Sequence, residues 1–381
     1  MTKKRVNIFL IITILIAIIG IGAWFGFAPD QQPRFYASIS EVLSDHPADD
    51  GFKRAIEVIP FHFPRDFGTH PDFQTEWWYY TGNLQNETGD HFGYQLTIFR
   101  RALSPEKTNS GSQWRTNQIY FAHLAVTDVK SNRFYSFERF SREAIGLAGA
   151  RSEPYRIWVE NWQIKEENGL IHLLAEEENI SLNLSLSSIK AIVFQGNNGL
   201  SQKGSGQGNA SYYYSQTRID TKGTVKIGDT SHIVKGDSWL DREWSTSTLQ
   251  RGDIGWDWFS IQLNDNREIM LFQIRAEDGS ISDYSSGMFV FSNGQSLPLT
   301  RGSFSITAVD KWKSPETGIV YPSGWNIALH DMNLKLLLVP YIKNQEHQLS
   351  FAYWEGAVKV KSNQGDGFGY VELTGYEKSN R

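Results

Sequence analysis

W-W-Y-Y-T-G-N-L, residues 77–84, leads through a short turn into Y-Q-L-T-I-F-R, residues 94–100. Both runs are aromatic and β-branched, and neither holds a helical period, so they read as two strands of a hairpin. The same pattern returns as W-D-W-F-S-I-Q-L, residues 256–263, then Asn264-Asp265-Asn266, then I-M-L-F-Q-I-R, residues 269–275. The spacing from Trp to Leu is the same in both copies, and each second strand ends in an Arg, Arg100 or Arg275. A duplicated hairpin predicts two related β domains in tandem, joined between Gly236 and Leu249.

Further strands follow on either side. F-A-H-L-A-V-T, residues 121–127, is apolar, and I-S-L-N-L-S-L, residues 180–186, alternates strictly, as a strand buried on one face does. Asn168-Gly169, Asn198-Gly199, Asp278-Gly279 and Asn293-Gly294 supply the positive φ that tight hairpin turns need. Many short antiparallel strands at this spacing mean barrels or sandwiches.

The N-terminus is of another kind. Lys3, Lys4 and Arg5 precede residues 6–28, which carry no charge. A spanning helix needs ~20 such residues and a signal-peptide core only ~7–15. The length predicts a signal anchor, or a signal peptide if it is cut after Ala28. The basic flank places the body outside the cytoplasm, periplasmic or extracellular, and secreted if the segment is cleaved. The expected domains are 1–28 (anchor), 29–59 (a tether with a short helix over 39–43), 60–246 and 247–381.

Composition narrows the function. The chain has 381 residues and a formal net charge of −5, with no basic stripe of the kind nucleic-acid binders carry. Cysteine is absent, which excludes disulfides, thiolate metal sites and Cys nucleophiles. Nine His occur without H-x-H or H-E-x-x-H spacing, and no G-x-S-x-G is present. Neither a metal nor any other cofactor is expected. The Gly-rich run over residues 196–208 reads as a loop entering a strand, placed over a barrel mouth, since no helix follows it as a phosphate loop requires.

Acids beside indoles are the chemical signal. Glu76 precedes Trp77, Trp78 and Tyr80; G-D-S-W-L-D-R-E-W, residues 236–244, sets Asp241, Arg242 and Glu243 between Trp239 and Trp244. G-W-D-W sets Asp257 between Trp256 and Trp258, and Y-W-E-G sets Glu355 beside Trp354. A carboxyl against aromatic rings is poorly solvated, which raises its pKa and suits it to general acid work. Glu76, Asp241, Glu243 and Asp257 are therefore the candidate catalytic acids. Trp77, Trp78, Tyr80, Trp239, Trp244, Trp256, Trp258 and Trp354 are the candidate ligand-binding residues. Arg242 and Arg275 are structural candidates, with Arg242 expected to tie the two domains together by an ion pair.

H-P-D-F-Q-T-E-W-W-Y-Y-T-G-N-L, F-A-H-L-A-V-T-D, S-Y-Y-Y-S-Q-T-R, G-D-S-W-L-D-R-E-W-S-T, G-W-D-W-F-S-I-Q-L and Y-W-E-G-A-V resemble the AttH / carotenoid 1,2-hydratase family over about residues 61–376. The resemblance implies an all-β fold of two tandem lipocalin-like (calycin) barrels. It implies either of two functions. One is a barrel protein that binds an apolar lipid or isoprenoid and serves a transporter permease. The other is a cofactor-independent hydratase or lyase acting on an apolar alkene. The carotenoid hydratases carry a His where this chain has Arg242, and an always-charged guanidinium cannot deliver a proton to an alkene. Carotenoid hydration itself is therefore not expected.

Overall fold

A computed structural model of the chain describes residues 51–377, apart from 107–111, 113, 251 and 351. The anchor over residues 1–28 and the short helix over 39–43 lie outside the described residues. No helix among the described residues is long and apolar enough to cross a membrane.

The first barrel begins with β1 (Thr75–Asn86), β2 (His91–Ala102), β3 (Gln118–Asp128) and β4 (Arg133–Arg142). A second meander follows: β5 (Ala148–Ser152), β6 (Tyr155–Val159), β7 (Trp162–Glu167), β8 (Leu170–Glu177) and β9 (Ile180–Ser188). Short β10 (Val193–Phe194) and β11 (Leu200–Gln202) then lead into long β12 (Ala210–Ile227) and β13 (Thr230–Ser245). The sheet order is β4-β3-β2-β1-β13-β12-β9-β8-β7-β6-β5, all antiparallel, and β3 and β4 return against β5 and β6 to nearly close it.

The second barrel starts with β14 (Asp253–Leu263), β15 (Glu268–Ala276), β16 (Ser286–Val290), β17 (Ser296–Leu299) and β18 (Phe304–Ala308). A small ribbon, β19 (Lys311–Lys313) with β20 (Val320–Pro322), interrupts it. Then come β21 (Trp325–Leu329), β22 (Leu334–Pro340), β23 (Glu346–Gln348), β24 (Ala352–Ser362) and β25 (Gly367–Leu373). Its order is β17-β16-β15-β14-β25-β24-β22-β21-β18. The fold is all-β, with two nearly closed lipocalin-like barrels in tandem. The two copies of the duplicated hairpin hold corresponding places: β1 and β14 each pair with the following strand and with the last strand of their own barrel.

Strand parity decides what each residue touches. In β9, Ile180, Leu182, Leu184 and Leu186 point into the first barrel while the residues between them meet water. β1 is buried on both faces, which is why its sequence does not alternate. Trp78 and Tyr80 fill the first barrel, and Trp77 and Tyr79 point outward to the second. At Asn168-Gly169 both residues take positive φ, as a type I′ hairpin turn requires.

Residues 51–59 do not form a free tether. Phe52 and Ala55 are buried, Lys53 donates its amide to the Asp72 carbonyl at 2.9 Å, and Tyr212 donates its hydroxyl to the Glu57 carbonyl. The segment belongs to the folded body because its apolar side chains find a place on the first barrel.

The barrels meet through their outer faces. Gly93 of β2 lies so close to β24 that a Cβ there would stand 2.6 Å from the Ala357 Cβ. Arg218 of β12 and Lys190 both reach across to Glu268 of β15, at 2.6 and 2.7 Å. This is the charged tie between domains that the sequence assigns to Arg242. Arg242 instead pairs with Glu76 inside the first barrel.

Candidate functional site

A cavity of about 80 Å³ lies between the barrels. That is several times the room one water needs. Parity builds it. From the first barrel come Trp77 and Tyr79 of β1, Gln95 and Phe99 of β2, Tyr213 of β12, and Asp241 and Glu243 of β13. From the second come Trp256 and Trp258 of β14, Phe272 and Ile274 of β15, Tyr353 and Glu355 of β24, and Glu372 of β25. Lys203, on the Gly-rich loop, and Thr248 and Leu249, in the inter-barrel connection, complete the wall. The Gly-rich run thus meets this cavity through Lys203 alone, between the barrels and not over a barrel mouth.

Four carboxyls line this largely apolar cavity. Asp241 accepts from Tyr213 and Ser215 and, at 2.7 Å, from the Trp239 indole; Trp258 in turn donates to the Tyr213 hydroxyl at 3.2 Å. Burial still pushes Asp241 up to about 7 against those three donors, with the charge of Glu243 adding to the rise. Glu243 accepts from Ser211 and lies 3.0 Å from the Lys203 ammonium. That ammonium stands 4.3 Å from the Phe272 ring centre and 5.2 Å from that of Tyr213.

Glu355 and Glu372 are directly opposite one another in the β24–β25 register. Burial, and then the charge of Glu372, drives Glu355 well above the carboxylate range. Burial pushes Glu372 up to about 8 against a hydrogen bond from Trp256, and Asp241 and Glu243 repel it further. Tyr79 donates across the barrel junction to Glu355 Oε1. Behind Glu355, Tyr353 meets His123 Nδ1 at 2.7 Å and stacks on His347 at 4.5 Å. Burial holds both histidines below their ordinary pKa, His123 at about 3, so neither brings a charge to the carboxyls.

Among the sequence candidates, Asp241, Glu243, Trp77, Trp256 and Trp258 converge on the cavity, and Trp239 packs just behind it on Trp258 and Asp241. The others do not. Glu76 faces the opposite side of β1, where Arg100 and Arg242 both bond it. Burial alone would raise its pKa, but the two guanidinium charges overcome this and hold it well below the usual carboxylate range. Asp257 points inward in the second barrel, bonded by Arg275 at 3.0 Å and Tyr376 at 2.9 Å. Burial raises it against the Arg275 charge. Both Arg242 and Arg275 are therefore bound within single barrels. Trp78 and Tyr80 fill the first barrel, Trp244 stacks on His70 at 3.7 Å, and Trp354 packs against Trp325 inside the second barrel. Arg242 lies over Trp78 and Trp244, away from the cavity, so its place in the chain does not bear on proton delivery there.

The sequence reading misses Glu372, Lys203, Gln95, Tyr79 and Tyr213, and it names Glu355 without placing it in a site. Among the described residues no group of three or more His, Asp or Glu is arranged to hold a metal ion.

A family model described as AttH-like matches residues 54–376. An AttH-type protein from Nitrosomonas europaea, known from its crystal structure, is similar at 33% identity with a TM-score of 0.76, covering 84% of this chain and 98% of that one. Kievitone hydratase from Nectria haematococca shares the fold at 14% identity with a TM-score of 0.63, covering 86% and 98%. No curated protein sequence matches the chain.

Proposed function

Because the chain belongs to the AttH-like family, we propose that it is a cofactor-independent acid–base enzyme of the hydro-lyase type, acting on a compact, largely apolar substrate. The single observation that carries this is the set of four carboxyls lining one aromatic-walled cavity. Two of them, Asp241 and Glu372, are poised at about 7 and about 8, where proton transfer at neutral pH is most effective. Glu355, kept neutral by burial and by Glu372, is the proton donor. Asp241, held by three donors and titrating near neutrality, is the acceptor that takes a proton from water. The Trp and Phe walls give the carboxyls a poorly solvated surface against which a reacting molecule can lie. That kievitone hydratase shares this tandem fold makes such chemistry compatible with the architecture, though fold by itself does not fix function.

The binding-protein reading has a lipid or isoprenoid passed to a transporter. It would leave the four carboxyls without a role. We place the protein at the membrane through residues 6–28, with the barrels outside the cytoplasm. Deleting those residues is expected to move the protein from the membrane to the soluble fraction.

The test uses the full-length protein in detergent with an apolar extract of its source cells in ¹⁸O-labelled water. Mass spectrometry is expected to find a compound that gains labelled water, or loses water, with wild type and not with Glu355→Gln. Identical extracts from the two proteins would refute the reading.

A further inference from the structure

Exposed apolar side chains gather at the end of the first barrel where β2 and β4 finish. Leu103 is 60% exposed and Trp114 65%, both on the β2–β3 connection; Ile145 is 47% exposed and Leu147 41%, both on the β4–β5 connection. The two connections are neighbours, since Arg142 donates to the Thr116 carbonyl and the Glu143 amide to that of Gln118, each at 3.3 Å. Trp158 of β6 extends the patch, its indole N–H donating to the Gly146 carbonyl at 2.9 Å. Ile145 is held at a φ of 49°, a conformation that β-branched residues avoid, and its side chain still meets water. Several large apolar side chains kept together in water mark a surface that something covers.

The charges beside the patch and the point where the chain enters the body both favour lipid. Arg115 and Arg142 stand on or beside the same connections, and the guanidinium groups of Arg156 and Arg151 lie over the Trp158 ring at 4.8 and 5.9 Å. Among the described residues none of these four arginines pairs with a carboxylate, although Glu106 and Glu143 lie on these connections. Aliphatic side chains beside Trp and Arg suit a surface that enters a headgroup layer, where indole N–H and guanidinium groups stay with the polar atoms. Gly51, the first described residue, lies against the β2–β3 connection: a Cβ there would stand 2.9 Å from the Pro105 Cγ. Residues 29–50 lead to it from the uncharged run over residues 6–28, so an anchor there brings the chain to the body at this end.

We propose that this end of the first barrel rests on a bilayer that carries anionic lipid, with Leu103, Trp114, Ile145 and Leu147 in the headgroup layer and the arginines at its phosphates. The inference is independent of the acid–base reading and shares with the membrane placement only the uncharged run. A second copy of the chain fits this face less well, because a two-fold contact would bring the unpaired arginines toward their own counterparts.

The chain has no cysteine, so one introduced thiol is unique and can carry a nitrobenzoxadiazole label. Full-length Leu103→Cys, Trp114→Cys and Ile145→Cys are reconstituted in vesicles of phosphatidylethanolamine and phosphatidylglycerol, which also hold a lipid spin-labelled near the top of its acyl chain. Glu87→Cys, in the β1–β2 turn, is the control, since the whole length of β2, about 40 Å, separates it from Leu103. The three loop labels are expected to be quenched roughly threefold or more beyond the control; Leu147→Cys serves if Ile145→Cys does not fold. Equal quenching at all positions, or none at the loops, overturns the proposal. So does disulfide cross-linking between copies through the loop thiols, which would give this face to a second copy. Protein that floats with the vesicles without this pattern would keep the anchor and remove the docking. The pattern retained after deletion of residues 6–28 would do the reverse.

Discussion

Glu76→Gln is the perturbation with the most determinate cost. Glu76 is completely buried, and so is Arg242; Arg100 is 1% exposed. The carboxylate accepts from both guanidinium groups and from the His70 amide at 3.0 Å. Gln keeps the volume, so no cavity term enters, but it leaves two guanidinium charges enclosed without an anion. Removing one partner from a buried pair costs ~3–5 kcal/mol. At ~2–4 °C per kcal/mol for a domain of this size, the first barrel should melt roughly 10 °C lower at pH 7. Urea titration followed by tryptophan fluorescence reads the loss, with Trp78 and Trp244, which flank the Arg242 guanidinium, among the reporters.

The pH dependence has a definite sign. The folded pKa of Glu76 lies below its unfolded value, so its contribution is fully present above ~4.3 and is lost as pH falls toward the folded value. Wild type and variant should therefore differ by a constant amount from pH 7 to 5 and converge in stronger acid. A loss below ~1 kcal/mol at pH 7, or a gap that does not close in acid, would refute the reasoning.

Glu372→Gln should act in the opposite direction. Its folded pKa of about 8 lies above the unfolded value, so the native state is penalised as pH rises from ~4.3 to about 8. The variant should match wild type at pH 4 in thermal melts and exceed it by on the order of a few kcal/mol at pH 8 to 9, with equal stability at pH 9 refuting the assignment. Gly93→Val places a side chain where Ala357 leaves 2.6 Å. It should cost ~1–3 kcal/mol and loosen the barrel junction, seen as faster hydrogen exchange in β2 and β24; unchanged exchange there would count against so tight a contact.

The fold was legible because strand parity and Asn-Gly turns leave local marks, and because the hairpins at Trp77 and Trp256 share a spacing that topology preserves. The site was half legible, and the reason is also parity. Asp241 and Glu243 share a face with Trp239, and Trp256 shares one with Trp258, so these residues converge. Arg242, Trp244, Asp257, Trp78 and Tyr80 sit between them in sequence and point the other way. Grouping every acid and indole in a motif merged two opposite faces, which separating odd from even positions would have avoided. Glu372 had no such mark. It lies in an ordinary strand run, and only the register of β24 with β25 sets it opposite Glu355. Gln95 and Lys203 likewise acquire meaning only from the other barrel.

A cavity walled by the outsides of two barrels behaves mechanically unlike one inside a barrel. Widening a barrel lumen means breaking ladder hydrogen bonds or emptying a packed core. Here the space between Trp77 and Trp256 is bounded by two separate sheets that touch closely at Gly93 and Ala357, so its width follows from how the barrels seat on one another and not from either ladder of hydrogen bonds. The size of the space is therefore set at the seam: Arg218, Lys190 and Glu268 hold the barrels together there, and because Glu268 is fully buried, removing either charge costs stability as well as altering the gap.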